Sequence, residues 1–270
     1  MEPGEARLAI KIVQLSDLHL TTPGRSLYGS RPDERLDAAI DSIRRDHGDA
    51  EFCLLTGDLA DAGSDAAYAR LAEAVARLPM PTYPLVGNHD RREGLLRHFP
   101  QLATDAAGFV QTAIETPVGR FLLLDTLDNG SASGAYCAAR RDWLSAQLAA
   151  SGDQAIWLAM HHPPLAVGIP SMDRYALRHP TAFWSILKEH RQRIRHLFVG
   201  HLHRPLGGSW HGIPFSCVRS PNHQVAFDMR TTDGVPGNQE APDYAVVLID
   251  EASVVVHQHD FLYRGERFWL

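Results

Sequence analysis

Five times along the chain an apolar run breaks off into a short cluster of Gly, Asp, Asn and His. Leu8–Leu15 ends in Ser16-Asp17-Leu18-His19, Phe52–Thr56 in Gly57-Asp58, and Tyr83–Val86 in Gly87-Asn88-His89-Asp90. Ala155–Met160 ends in His161-His162-Pro163-Pro164, and His196–Val199 in Gly200-His201-Leu202-His203. Any one cluster reads as a turn, since Gly, Asn and Asp are the commonest turn residues. Five of them constrain the fold far more, because each is a buried strand handing over to a polar loop. In α/β sheets ligand sites form outside the carboxyl ends of parallel strands, so the clusters are expected to converge.

The segments between them supply helices. Asp33–Arg45 places Leu36, Ala39, Ile40 and Ile43 on one stripe. Asp65–Leu78 does the same with Tyr68, Leu71, Ala72, Val75 and Leu78, until Pro79 and Pro81 stop it. The first part therefore reads strand–helix–strand–helix–strand. Arg91–Phe99 reads as a short helix. Phe109–Glu115 and Arg120–Asp125 read as strands joined by a hairpin-like connection, which breaks the rhythm and predicts a second, more antiparallel sheet. Helices are expected at Asp142–Ala150 and Pro180–Arg191, and strands at Ile213–Val218, Tyr244–Ile249 and Ser253–Gln258. Arg230–Pro242, rich in Gly and Pro, reads as a long loop. With no repeat and no linker, one domain over residues 1–270 is expected, with 204–243 a loop-rich stretch suited to capping or self-association.

Composition excludes some functions. The net charge of −6 argues against a nucleic-acid binder, which needs basic surface to neutralise phosphates. The 3 cysteines are scattered, with no Cys-x-x-Cys pair, so neither a thiolate zinc site nor a disulfide framework is indicated. Residues 1–7 lack the pattern of a signal peptide, and no apolar run approaches the roughly 18 residues of a membrane span. A cytoplasmic protein in a reducing compartment is expected. The anomaly is 15 histidines, the commonest metal ligand.

The strand ends supply Asp17, His19, Asp58, Asn88, His89, His161, His201 and His203. Carboxylate, imidazole and amide donors without thiolate suit Fe, Mn, Co, Ni or Zn. One catalytic ion commonly takes three protein ligands plus water. These candidates are enough for two ions sharing a carboxylate, and Asp58, alone on its strand, is the natural bridge. Two ions roughly 3.5–4 Å apart stabilise both attacking and leaving oxygens of a displacement and make hydroxide available near neutral pH. The residues alone thus point to a two-metal hydrolase.

The set Asp17-x-His19, Gly57-Asp58, Gly87-Asn88-His89-Asp90, His161 and Gly200-His201-x-His203 resembles, in order, the motifs of the calcineurin-like metallophosphoesterase family. The resemblance runs from Leu8 to about Asp260 and implies a four-layer α/β/β/α sandwich, two mixed sheets flanked by helices. It implies one metal held by Asp17, His19, Asp58 and His203, and another by Asp58, Asn88, His161 and His201. It makes His89 a non-ligand histidine that binds a phosphate oxygen or protonates the leaving group, with Asp90 orienting it.

Leu27-Tyr28-Gly29, Gly57-Asp58-Leu59-Ala60-Asp61 and His161-His162-Pro163-Pro164-Leu165 are similar to a bacterial branch of class III cyclic nucleotide phosphodiesterases and glycerophosphodiesterases. That branch carries a further histidine near the phosphate, for which His223 is the matching position, and it favours His161 over His162 as ligand. It often forms dimers or larger assemblies. The implied activity is hydrolysis of small phosphodiesters, with a phosphomonoesterase, a nuclease and a non-catalytic metal-binding scaffold as the alternatives. His257 and His259 share a strand face with no further ligand beside them. His47, His98, His179, His190, His196 and His211 read as surface or capping residues.

Overall fold

The computed structural model describes residues 9–270, so Leu8, the expected start of the first strand, lies outside the described residues. Strands β1 (Ala9–Leu15), β2 (Phe52–Leu55) and β3 (Thr82–Pro84) run parallel, linked through helices α1 (Pro32–Asp46) and α2 (Asp65–Val75). After α3 (Arg92–His98) come β4 (Thr112–Thr116), β5 (Gly119–Leu124), α4 (Ala138–Ala150), β6 (Ile156–Met160), the short α5 (Pro170–Asp173), α6 (Pro180–Leu187) and β7 (Ile194–Val199). The chain closes with β8 (Leu206–Trp210), β9 (Ile213–Cys217), β10 (Gln224–Val225), β11 (Gly237–Asn238), β12 (Tyr244–Asp250) and β13 (Val254–His259). One sheet has the order β13-β12-β1-β2-β3, the other β4-β5-β6-β7-β9-β8, and β10 pairs with β11.

Side chains alternate across a strand, and that alternation separates three apolar layers. Val13, Leu15, Cys53 and Leu55 face α1 and α2, packing on Leu36, Ile40, Tyr68 and Leu71. Ile12, Phe52 and Leu54 face the other way, onto Phe121, Leu123, Trp157 and Phe198 of the second sheet. Leu122, Leu158, Met160 and Val199 face outward onto Leu144, Leu148, Phe183 and Leu187 of α4 and α6. Helix, sheet, sheet, helix is therefore the order of layers, as the sequence implies. Doubly covered strands explain the unbroken apolar runs at Phe52–Leu55 and Ile156–Met160.

Two expectations need correction. The second sheet is mainly parallel: β5, β6, β7 and β9 run together, and only the edges β4 and β8 are antiparallel. Helix α4 between β5 and β6 makes the crossover that a parallel pair requires. Within 204–243 the expected strand at Ile213–Val218 is present as β9, and β8 is a further strand that the sequence reading lacks. Gly207 and Gly208 hide β8 from a propensity reading, but a two-residue turn builds it. His211 and Gly212 both have positive φ (50° and 81°), the geometry that closes a tight hairpin. Among element bounds, α4 starts four residues before the expected Asp142, with Arg140 buried against the carbonyls of Asp125 and Leu127.

Candidate metal centre

All five strand-end clusters meet at one edge of the two sheets. The backbone there is bent sharply: Asp17, His19, Asp58, His201 and His203 have φ of 55°, 44°, 50°, 71° and 48°. Left-handed backbone costs a residue with a Cβ roughly 1–3 kcal/mol and persists only where its surroundings hold it. Here the holds are visible. Asp17 N–H donates to Gly57 O and His19 N–H to Asp58 O, both at 2.9 Å. The His201 N–H donates to the Asp17 carboxylate at 3.0 and 3.1 Å, tying the end of β1 to the end of β7. At Gly57 (φ 93°) a Cβ would meet His161 Nδ1 at 2.5 Å, so only glycine lets that ring into place.

The first donor group is Asp17, His19, Asp58 and His203, all buried, with one ligand atom from each within 4.8 Å of the others. His203 Nδ1–H donates to His223 O at 2.8 Å, and His19 Nδ1–H to the Asp61 carboxylate at 3.2 Å. With those protons on Nδ1, both Nε2 atoms carry lone pairs, yet they lie 3.1 Å apart. His161 repeats the pattern: Nδ1–H donates to Thr56 O at 2.8 Å, while Nε2 faces Asn88 Oδ1 at 3.2 Å and Asp58 Oδ2 at 3.3 Å. Acceptors crowded together in a buried site need positive charge among them, as a ring proton or as a metal ion. The donor set fits the implied metals on that ground. A ring nitrogen of His201 lies within 4.8 Å of ring nitrogens of His161 and His162, and its ring centroid is 5.1 Å from that of His161. The His201 Nε2 is buried without a partner among the described residues.

Electrostatics agree. Burial pushes the Asp17 carboxyl up, but His203 and His161 overcome it and bring it to about 2. Asp58 is likewise held well below the carboxylate range, burial being outweighed by His161. His161, in spite of burial, is raised to about 9 by Asp58. Carboxylates that draw a proton to His161 would draw a metal ion there instead. His162 and His201 are lowered by burial first and then by His161, His201 to about 3, so both are neutral imidazoles.

Around this centre the structure reassigns one residue. Asp90 does not reach the His89 ring. Its carboxylate accepts Leu59 N–H, Ala60 N–H, Gly87 N–H and Tyr68 O–H at 2.9–3.1 Å, pinning the Asp58 loop to the Asn88 loop. His89 is oriented by Asp61, whose backbone oxygen accepts Nδ1–H at 2.7 Å. Asp61 thus contacts His19 and His89 at once, a role the sequence reading missed. Spacing does not reveal it, since Asp61 lies 42 residues from His19. The His223 ring lies 4.8 Å from that of His203 and 4.9 Å from that of His19. Ser30 O–H fixes the Asn222 amide oxygen, and the amide nitrogen donates to His223 Nδ1 at 3.1 Å, leaving Nε2–H toward the cleft.

Among the remaining histidines, His196 departs from its surface reading. It is buried on β7 and pairs with Ser216 Oγ at 2.9 Å. His47 and His179 hold cap positions of α1 and α6. His259 stacks on Tyr244 and lies against His47.

A four-layer sandwich with carboxylate, imidazole and amide donors gathered at its strand ends is the architecture of a metallophosphoesterase. A family model described as calcineurin-like phosphoesterase matches residues 10–205, and the chain belongs to that family. It is 42% identical to a probable cyclic nucleotide phosphodiesterase of Rhodopseudomonas palustris, over 97% of this chain and 96% of the relative. It is 31% identical to a probable glycerophosphodiester phosphodiesterase of Arcobacter nitrofigilis, over 81% of each chain. A dimetal phosphatase from Danio rerio shares the fold with a TM-score of 0.68 at 16% identity, covering 94% of this chain and 96% of the other. No helix among the described residues is long and apolar enough to cross a membrane.

Proposed function

We propose that the chain is a two-metal phosphodiesterase acting on 3′,5′-cyclic nucleotides, with glycerophosphodiesters as the second reading. The observation that carries it is the buried cluster of Asp17, His19, Asp58 and His203, whose ligand atoms lie within 4.8 Å of one another, with His161 beside Asp58. Asp17, His19, Asp58 and His203 would hold one ion, and Asp58, Asn88, His161 and His201 the other. Two bound ions would neutralise phosphate charge and make a water acidic enough to attack phosphorus near pH 7.

The protein's own side chains do the rest. His89 keeps its Nδ1 proton on the Asp61 carbonyl, so Nε2 alone can approach the phosphate or deliver a proton to the leaving oxygen. His223 Nε2–H faces the same cleft and supplies a second hydrogen bond to phosphate oxygen. The cleft has a volume of about 520 Å³ and an outer wall of Tyr28, Met172, Tyr175, Val235 and Pro236. The Gln224 amide is already bonded to Ser220, and Asn238 to Glu240. A wall of rings and aliphatic groups with few free polar atoms suits a flat base better than a hydroxyl-rich glycerol. The relative from Rhodopseudomonas supports the same choice. The relative from Arcobacter favours the second reading. Exposed Phe227 and Met229 (67% and 59%) in the stretch 204–243 support self-association through that face, which light scattering on the purified protein would test.

The test is hydrolysis of 3′,5′-cyclic AMP, glycerophosphocholine and p-nitrophenyl phosphate by metal-stripped and Mn-reloaded protein. Metal-dependent cleavage of the cyclic nucleotide above the other two is expected. Preference for the monoester, or equal rates without metal, would refute the proposal.

A further inference from the structure

Beside the second donor group lies a residue with no part in the reaction so far. His162 is fully buried, and its Nε2 has no partner among the described residues; the same holds for Nε2 of His201. Two unpartnered ring nitrogens in one sealed region are costly, because each loses its water without gaining a bond. The rings are neighbours, with centroids 4.9 Å apart, and a ring nitrogen from each of His161, His162 and His201 lies within 4.8 Å of the others.

His162 is also firmly seated. Its Nδ1 lies 2.8 Å from Thr126 Oγ1, and its backbone N–H donates to that oxygen at 3.3 Å. On its other side Gly134 leaves room for the ring: a Cβ there would meet His162 Cγ at 2.5 Å. A ring fixed on two sides, with one of its nitrogens within 4.8 Å of a ring nitrogen of His201, has the geometry of a holder.

We propose that His162 is a positioning residue for His201. Its Nε2 accepts the His201 Nε2–H, directly after a small ring rotation or through one buried water, and so commits His201 Nδ1 to the cleft. This requires His162 Nδ1–H to donate to Thr126 Oγ1. His19, His161 and His203 have their outer nitrogens held by Asp61, Thr56 and His223; His162 does the same for the fourth. The inference rests on the two-metal reading.

The experiment measures metal uptake and ring tautomer rather than turnover. Zn(II) titration of wild type, His162→Phe, His162→Gln and Thr126→Val is followed by metal analysis, and side-chain ¹⁵N spectra report which His201 nitrogen is metallated. Loss of such an outer partner weakens metal affinity about 10–100-fold. That loss is expected for one of the two ions in His162→Phe, with a smaller loss in Thr126→Val and substantial rescue in His162→Gln. His201 should be metallated through Nδ1 in wild type and show mixed tautomers in His162→Phe. Should His162→Phe not fold, Thr126→Val and His162→Gln carry the test. Both ions bound with unchanged affinity in the folded variants, or His201 metallated through Nε2, would overturn the proposal. A wild-type chain that takes up no metal would instead refute the two-metal reading.

Discussion

Nε2 of His19 and Nε2 of His203 lie 3.1 Å apart although each ring has its proton engaged on Nδ1. The contact makes sense only with a positive charge between or beside them, and Asp58, with Oδ2 3.7 Å from His19 Nε2 and 3.3 Å from His161 Nε2, is placed to share that charge with both groups. Asp58→Ala should therefore lose both ions rather than one. Metal analysis after dialysis is expected to fall from two equivalents to near none, with turnover down at least about 10³-fold, the scale of losing a main electrostatic stabiliser.

His89 packs its ring on that of His19, centroids 4.6 Å apart, with its Nδ1 held by the Asp61 carbonyl. His89→Ala should keep both ions and lower kcat by about 10²–10⁴-fold, the range for general acid–base work. Loss of metal in that variant would show instead that His89 is a ligand.

Asp61 bonds His19 with its carboxylate and His89 with its backbone oxygen, the carboxylate lying 3.8 Å from His89 Nδ1, so mutation of the side chain spares the hydrogen bond to His89. Asp61→Ala removes only the side chain. It should weaken metal binding about 10-fold or more while leaving the His89 contribution to kcat largely intact under saturating metal. Metal titration and saturation kinetics on one preparation check both halves.

Asp90 accepts four donors from three segments, and burial together with Asp58 raises it to about 6. Asp90→Asn puts an amide N–H where only acceptors fit, and should cost about 3 kcal/mol in urea unfolding of the metal-free protein. Tyr68→Phe removes one of the bonds and should cost about 1 kcal/mol. If Asp90 oriented His89, Asp90→Asn would reproduce the His89→Ala kinetics with stability intact.

His196 is lowered to about 4 by burial. Its folded-state value lies below its unfolded one of about 6.5, so the unfolded chain binds the extra proton between them, and the stability present above pH 6.5 is lost as pH falls toward 4. The full effect is on the order of 3 kcal/mol. His196→Phe should flatten the stability profile over that window, as read by denaturant midpoints at pH 7 and pH 4.5.

The donor residues could be read from the chain because each closes an apolar run. A strand buried on both faces admits polar side chains only at its end, and parallel strands share one end. The layers were legible for a related reason: alternation along Phe52–Leu55 or Ile156–Met160 assigns each side chain to one of two interfaces. Strand β8 was not, since its glycines carry no strand preference and the turn at His211-Gly212 makes it. Nor was the direction in which each imidazole faces. That depends on which oxygen waits behind the ring: Thr56 O behind His161, His223 O behind His203, Asp61 behind His19. These partners lie 105, 20 and 42 residues away in the chain, so spacing carries no trace of them. The same holds for Asp90, adjacent to His89 in sequence yet bonded to the Asp58 loop 30 and 31 residues earlier. Residue type and strand position determine which groups meet; backbone oxygens brought in by the tertiary fold decide which atom each one presents.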